Sequence, residues 1–129
     1  IVSERLFLDT DVLIDYLRGN SNAIAYLENQ SAHLQIAAIT VAELYAGVRD
    51  GKERVKLDAF VSAFEIIPTI KEIALQGGLY RRDYGKSHGT GLADALIAAT
   101  AEFMQAPFVT MNRKHFPMLP NVITPYQRN

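Results

Sequence analysis

Asp9, Glu43 and Asp94 are three carboxylates standing where a sheet protein normally places apolar or capping residues. Asp9 closes the apolar run Leu6-Phe7-Leu8. Glu43 opens the helical stretch Thr40-Val41-Ala42-Glu43-Leu44-Tyr45-Ala46-Gly47. Asp94 is the sole ionised side chain at the start of the apolar stretch Leu92-Ala93-Asp94-Ala95-Leu96-Ile97-Ala98-Ala99. Carboxylates brought together repel, and they persist together when a cation or a shared proton compensates. If the fold gathers these acids, the site binds a hard divalent metal. Oxygen donors without His or Cys favour Mg²⁺ or Mn²⁺ over zinc. The imidazoles His33, His88 and His115 form no ligand pattern.

Short apolar strands alternating with helices must do the positioning. Leu6 to Leu8 reads as a buried strand, followed by a helix from about Val12 to Arg18 that stops at Gly19-Asn20. Ser21-Asn22 caps a second helix to about Asn29. Leu34 to Ile39 is a second strand, Thr40 starts a helix toward Val48, and another helix covers Glu53 to Ala63. Phe64 to Ile67 is a third strand. Thr69 caps a long helix to about Tyr84, and Gly85 to Gly91 reads as a glycine-rich loop, either a substrate flap or a connector. An apolar helix from Leu92 to Gln105 leads into a fourth strand, Phe108 to Thr110. Val122-Ile123 is a short fifth strand. This alternation implies an α/β fold with a mostly parallel sheet and helices on both faces.

In such a sheet, ligands bind outside the carboxyl ends of the strands. Asp9 lies at one such end, Glu43 just past another, and Thr110 and Asn112 at that of the fourth strand. The helix carrying Asp94 leads directly into the fourth strand, so its start lies at the same rim. Each acid also has a local explanation. Thr40-x-x-Glu43 spells a capping box. Asp94 suits a helix start, an effect of roughly 0.3–1 kcal/mol when exposed, although its apolar neighbours leave little solvated face. Asp11 reads as a turn residue capping the helix at Val12, and Asp15 as a solvated residue. Tyr16, Leu17, Tyr45 and Val48 belong to the core or to a partner groove.

The 129 residues suit one domain, 1–129, and half of them are apolar. With no cysteine, disulfides and thiolate sites are excluded, and a reducing, cytoplasmic setting is compatible. No apolar run approaches the roughly 18 residues of a membrane span. Ile1-Val2-Ser3-Glu4-Arg5 lacks a signal-peptide pattern, and a chain opening on Ile leaves its true start open. A net charge of -1 is unlike that of proteins coating nucleic acid by bulk charge, so any such contact must be local.

Four segments resemble the motifs of PIN-domain nucleases, in the family's order. They are Leu8-Asp9-Thr10-Asp11-Val12-Leu13-Ile14-Asp15, the stretch Thr40 to Gly47, the stretch Leu92 to Ala101, and Phe108-Val109-Thr110-Met111-Asn112-Arg113-Lys114-His115-Phe116. The nearest likeness is to the VapC-like toxins of toxin–antitoxin pairs. The resemblance implies a metal-dependent endoribonuclease with a three-layer α/β/α fold, a homodimer, and an antitoxin that blocks the active site. Asp9, Glu43 and Asp94 match the family's core acids, and Thr110 its accompanying hydroxyl. The fourth acidic position falls at Asn112, which carries no charge and puts a second tightly held metal in doubt. On this reading Asp9 and Asp94 bind Mg²⁺ or Mn²⁺, Glu43 binds it or orients its water, and Asn112 and Thr110 hold a water or the phosphate. RNA enters over Arg81, Arg82, Lys86, Arg113 and Lys114, and cleavage leaves a 5′-phosphate and a 3′-hydroxyl.

Other classes share some of these features. A phospho-accepting receiver module has this length and an early acidic pair. It also needs an Asp ending its third strand, which Phe64-Glu65-Ile66-Ile67-Pro68 does not offer. An Asp-x-Asp phosphatase fits Asp9-Thr10-Asp11 but lacks its later Lys and paired acids. A catalytically silent binding protein of the same fold would have no need of the three acids.

Overall fold

The computed structural model describes residues 4–128; the signal-peptide reading of Ile1, Val2 and Ser3 lies outside them. Strands β1 (Arg5–Leu8), β2 (His33–Ala37), β3 (Glu65–Ile67), β4 (Phe108–Val109) and β5 (Val122–Ile123) form one sheet in the order β3-β2-β1-β4-β5. Every pairing is parallel. The helices are α1 (Thr10–Leu17), α2 (Ser21–Glu28), α3 (Ala38–Ala46), α4 (Lys52–Val61), α5 (Lys71–His88) and α6 (Leu92–Met104), with a 3-10 turn at Arg113–His115.

The alternation of side chains along β1 builds the layers. Leu6 and Leu8 pack on one face with Val12 and Leu13 of α1, Leu27 of α2, Leu44 of α3 and Leu57 of α4. Phe7 points to the other face and packs with Ala37, Ile67, Phe108 and Ile97, Ala98 and Ala101 of α6. The result is the three-layer α/β/α sandwich expected from the sequence. Among the described residues no helix is long and apolar enough to cross a membrane.

Local chemistry differs from expectation at four helix ends. α3 begins at Ala38, and no side chain caps it. Thr40 is wholly buried and turns its hydroxyl to Thr10 of α1, so the Thr40–Glu43 capping box does not form. α2 is capped by Asn20, which accepts from the N–H groups of Asn22 and Ala23. α5 starts after Ile70 rather than Thr69 and runs past Gly85 to His88. A glycine inside a helix costs about 1 kcal/mol, and here tertiary and same-face contacts outweigh it. The Tyr84 ring packs between Tyr80 and His88, one turn away on either side. The helix ends instead at Gly89, whose φ of +66° is the left-handed conformation that favours glycine. Of the two readings of Gly85–Gly91, a flap or a connector, the structure shows a short connector, residues 89–91.

α5 and α6 meet at Gly77, where an added Cβ would lie 2.6 Å from Leu96 Cδ2 and 3.2 Å from its Cα. Gly77→Ala should destabilise the fold by about 1–3 kcal/mol, despite alanine's better helix propensity. Urea unfolding measures it, and a more stable variant would show that the two helices can separate freely.

Candidate active site

The strand order reverses direction between β1 and β4, and the crevice outside their carboxyl ends is where a ligand belongs. Asp9 follows β1 there and is 5% exposed. Its Oδ1 accepts the Thr10 N–H at 2.8 Å, and its Oδ2 accepts the Thr110 hydroxyl at 2.7 Å. Thr110 Oγ1 in turn accepts the Asn112 N–H at 3.0 Å. The Thr110 proton is thus directed at Asp9, which makes Thr110 a support for that acid rather than a free phosphate ligand. Burial pushes the Asp9 carboxyl well above the usual range, and the charges of Asp11 and Asp94 push the same way.

Asp11 lies beside Asp9 at this rim, where the sequence reading gave it only a capping role. Asp9 takes the N-cap of α1, and Asp11 turns inward from the first turn. Its Oδ2 accepts the Met111 N–H at 3.2 Å, while its Oδ1 is buried without a hydrogen-bond partner. Burial raises the Asp11 carboxyl too. The Asp9-Thr10-Asp11 spacing was the available signal. It read as a cap because capping explains Asp at a helix start without any distant partner.

Glu43 approaches from the exposed side of α3. Thr10 Oγ1 lies 2.7 Å from Glu43 Oε1 and 2.9 Å from Thr40 Oγ1. A hydroxyl has one proton. Thr10 therefore donates to the carboxylate and accepts from Thr40, and this relay holds Glu43 toward α1. Asp94, in the first turn of α6, accepts the Gly91 N–H at 3.3 Å and faces His115 Nδ1 at 3.3 Å. The contact expected of a helix start therefore forms, and the same carboxylate also faces the imidazole. His115 is the second residue that sequence reasoning missed, since its contact with Asp94 is purely tertiary.

Among the described residues, no group of three acidic or imidazole side chains stands in ready metal-ligating geometry. The donors converge on one rim without closing on a point. Their chemistry nevertheless fits a hard divalent cation. All are oxygen ligands, the Asp9 carboxyl is crowded by two other acids, and the buried Asp11 Oδ1 has no partner.

The expected basic residues divide. Lys86, in the last turn of α5, and Lys114, in the 3-10 turn, are exposed, and the end of α5 packs on that turn. Arg113 donates to the Val122 carbonyl at 3.1 Å. Arg82 pairs with its neighbour Asp83 at 2.8 Å, and the Arg81 guanidinium folds over Gly85 of its own helix. Asp15 is not a solvated residue, because it accepts from the Tyr126 hydroxyl at 2.8 Å and from Arg128 Nε at 2.9 Å. A groove beside Glu43, lined by Ile14, Leu17, Leu44, Val48 and Leu57, runs between α1, α3 and α4. Of the four residues considered for a partner groove, Leu17 and Val48 line it. Tyr16 stacks on Phe60 and Tyr45 bonds Asp58 outside it.

Residues 6–119 match the PIN domain family. The chain belongs to that family. This PIN domain is 39% identical over 123 residues to Ribonuclease VapC19 of Mycobacterium tuberculosis, covering 92% of the chain and 98% of that protein. It is 36% identical over 124 residues to Ribonuclease VapC10 of the same organism, covering 94% and 92%. Its fold is similar to a chain of a toxin–antitoxin complex from Klebsiella pneumoniae, with a TM-score of 0.82, 30% identity and coverage of 95% and 99%. It is also similar to a chain of VapBC2 from Rickettsia felis bound to a DNA fragment from their promoter, with a TM-score of 0.73, 30% identity and coverage of 92% and 96%. PIN membership removes the receiver and phosphatase alternatives.

Proposed function

We propose that this PIN domain is an endoribonuclease acting as the toxin of a toxin–antitoxin pair, and that it hydrolyses RNA phosphodiester bonds with Mg²⁺ or Mn²⁺. The observation that supports this reading best is Asp9. It is buried at the switch point of a parallel sheet, and the charges of Asp11 and Asp94 act on it. Buried acids of like charge are costly unless a cation joins them. The ribonuclease names of the similar proteins point the same way. The catalytic set is Asp9, Glu43, Asp94, Thr110 and Asn112, with Asp11 added to the acids that would face the cation. Asp9 and Asp94 would hold the ion, and Glu43 would hold it or orient a water. When bound, the ion lowers the pKa of a water and offsets charge on the scissile phosphate.

The chain's own residues prepare the site. Thr110 fixes Asp9, Thr10 fixes Glu43, and the Met111 N–H fixes one oxygen of Asp11. Lys86 and Lys114 flank the rim and would draw in the phosphate backbone, with Arg81, Arg82 and Arg113 as further RNA contacts. Hydrolysis would leave a 5′-phosphate and a 3′-hydroxyl. The groove between α1, α3 and α4, lined by apolar side chains together with Arg18, Glu43, Glu53 and Lys56, suits a cognate antitoxin. On this reading the chain is one domain, 1–129, and works as a homodimer in the cytoplasm. Incubating the purified chain with total RNA tests the activity: Mn²⁺ should support cleavage and a chelator should stop it. Equal degradation with and without the chelator would refute the metal-dependent reading.

A further inference from the structure

His115 is held from two sides. Its carbonyl accepts the buried Thr90 hydroxyl at 2.8 Å, and its ring lies against Gly89, where a Cβ would come within 3.4 Å of Nε2. The connector of residues 89–91 thus lies beside the ring and anchors the His115 backbone. Nδ1 lies 3.3 Å from Asp94 Oδ2 and 2.7 Å from the Asn112 amide terminus, at the Nδ2 position. One ring nitrogen carries either a proton or a lone pair. A lone pair on Nδ1 would face a carboxylate oxygen and repel it. A proton there serves both neighbours once the Asn112 amide turns its oxygen to the ring, and the two amide orientations fill the same space.

We infer that His115 is a positioning residue whose Nδ1–H spans the Asp94 carboxylate and the Asn112 amide oxygen, so that Asn112 presents its NH₂ away from the ring. The contact stands on the geometry alone. Its consequence rests on the proposed nuclease reading: the fourth position supplies an N–H donor for the phosphodiester, and Asp94 is oriented for the cation through the ring. Partners one step removed from a metal typically change metal affinity or activity by about 10–100-fold when lost.

The test has two independent readouts. Long-range ¹H–¹⁵N NMR of the metal-free chain should show a proton on Nδ1 of His115, whereas a neutral ring protonated at Nε2 would overturn the inference. Mn²⁺ affinity, read by calorimetry, should fall about 10–100-fold in His115→Ala. It should return to within a few-fold in His115→Asn, whose amide nitrogen stands where Nδ1 stood, but not in His115→Gln. Should the alanine variant not fold, the Asn and Gln pair decides. Equal affinity in those two would leave a structural role only and overturn the inference. A wild-type chain with the Nδ1 proton but no cleavage of RNA would retain the contact and dismiss the nuclease reading.

Discussion

Asp94→Asn should abolish Mn²⁺-dependent RNA cleavage, lowering kcat by roughly a thousandfold or more, because the cation supplies several kcal/mol of transition-state stabilisation. The fold should survive. The asparagine oxygen can still accept the Gly91 N–H that Asp94 Oδ2 takes at 3.3 Å, and α6 keeps its apolar packing through Ile97, Ala98 and Ala101. Removing a charge that opposes ionisation of Asp9 should leave the melting temperature of the metal-free chain unchanged or raised. Single-turnover cleavage of a labelled RNA, run beside a thermal melt, separates the two effects. A variant that cleaves at the wild-type rate would remove Asp94 from the mechanism.

Asp9→Asn should also silence the enzyme, and it should stabilise the metal-free chain at neutral pH. Burial and neighbouring charges raise the Asp9 carboxyl above its unfolded value. The folded state therefore binds that proton more tightly than the unfolded state does. The stability this contributes is fully present below the unfolded pKa and is lost as pH rises through the folded pKa. Asp11, also raised, acts in the same direction. Wild type without metal should accordingly melt at higher temperature as pH falls from neutral toward the carboxylate range, and Asp9→Asn should flatten that dependence. The amide is accommodated: its oxygen accepts the Thr10 N–H, and Thr110 Oγ1 receives its NH₂ and turns its own proton to Asp11 Oδ2, 3.5 Å away. Thermal melts across pH in the presence of chelator measure this. A wild-type chain that loses stability on mild acidification would contradict the account of Asp9.

The convergence of Asp9, Glu43, Asp94 and Thr110 was legible because topology alone carries it. An acid ending a buried strand and an acid starting the helix that leads into another strand must share a rim. The strands, the parallel sheet and the apolar α6 were legible for the same reason, since period and length of apolar runs survive without tertiary knowledge, although the strand read as Leu34 to Ile39 ends at Ala37 and α3 begins at Ala38. What depended on distant partners was not. Asp11 looks like a cap until the Met111 N–H, 100 residues away in the chain, draws it inward. Gly85 looks like a breaker until Tyr84 packs between the rings one turn to either side. His115 has no spacing relation to the acids, and only folding brings its ring to Asp94. Thr40 looks like a cap because the sequence does not show that Thr10 competes for its hydroxyl.

Calorimetric titration of Mn²⁺ into the chain at neutral pH tests the shared cation site most directly. Wild type should show saturable binding, and both Asp9→Asn and Asp94→Asn should weaken it severely while remaining folded. Absence of binding by folded wild type, or wild-type affinity retained in either variant, would contradict a cation shared by the acid that follows β1 and the acid that opens α6.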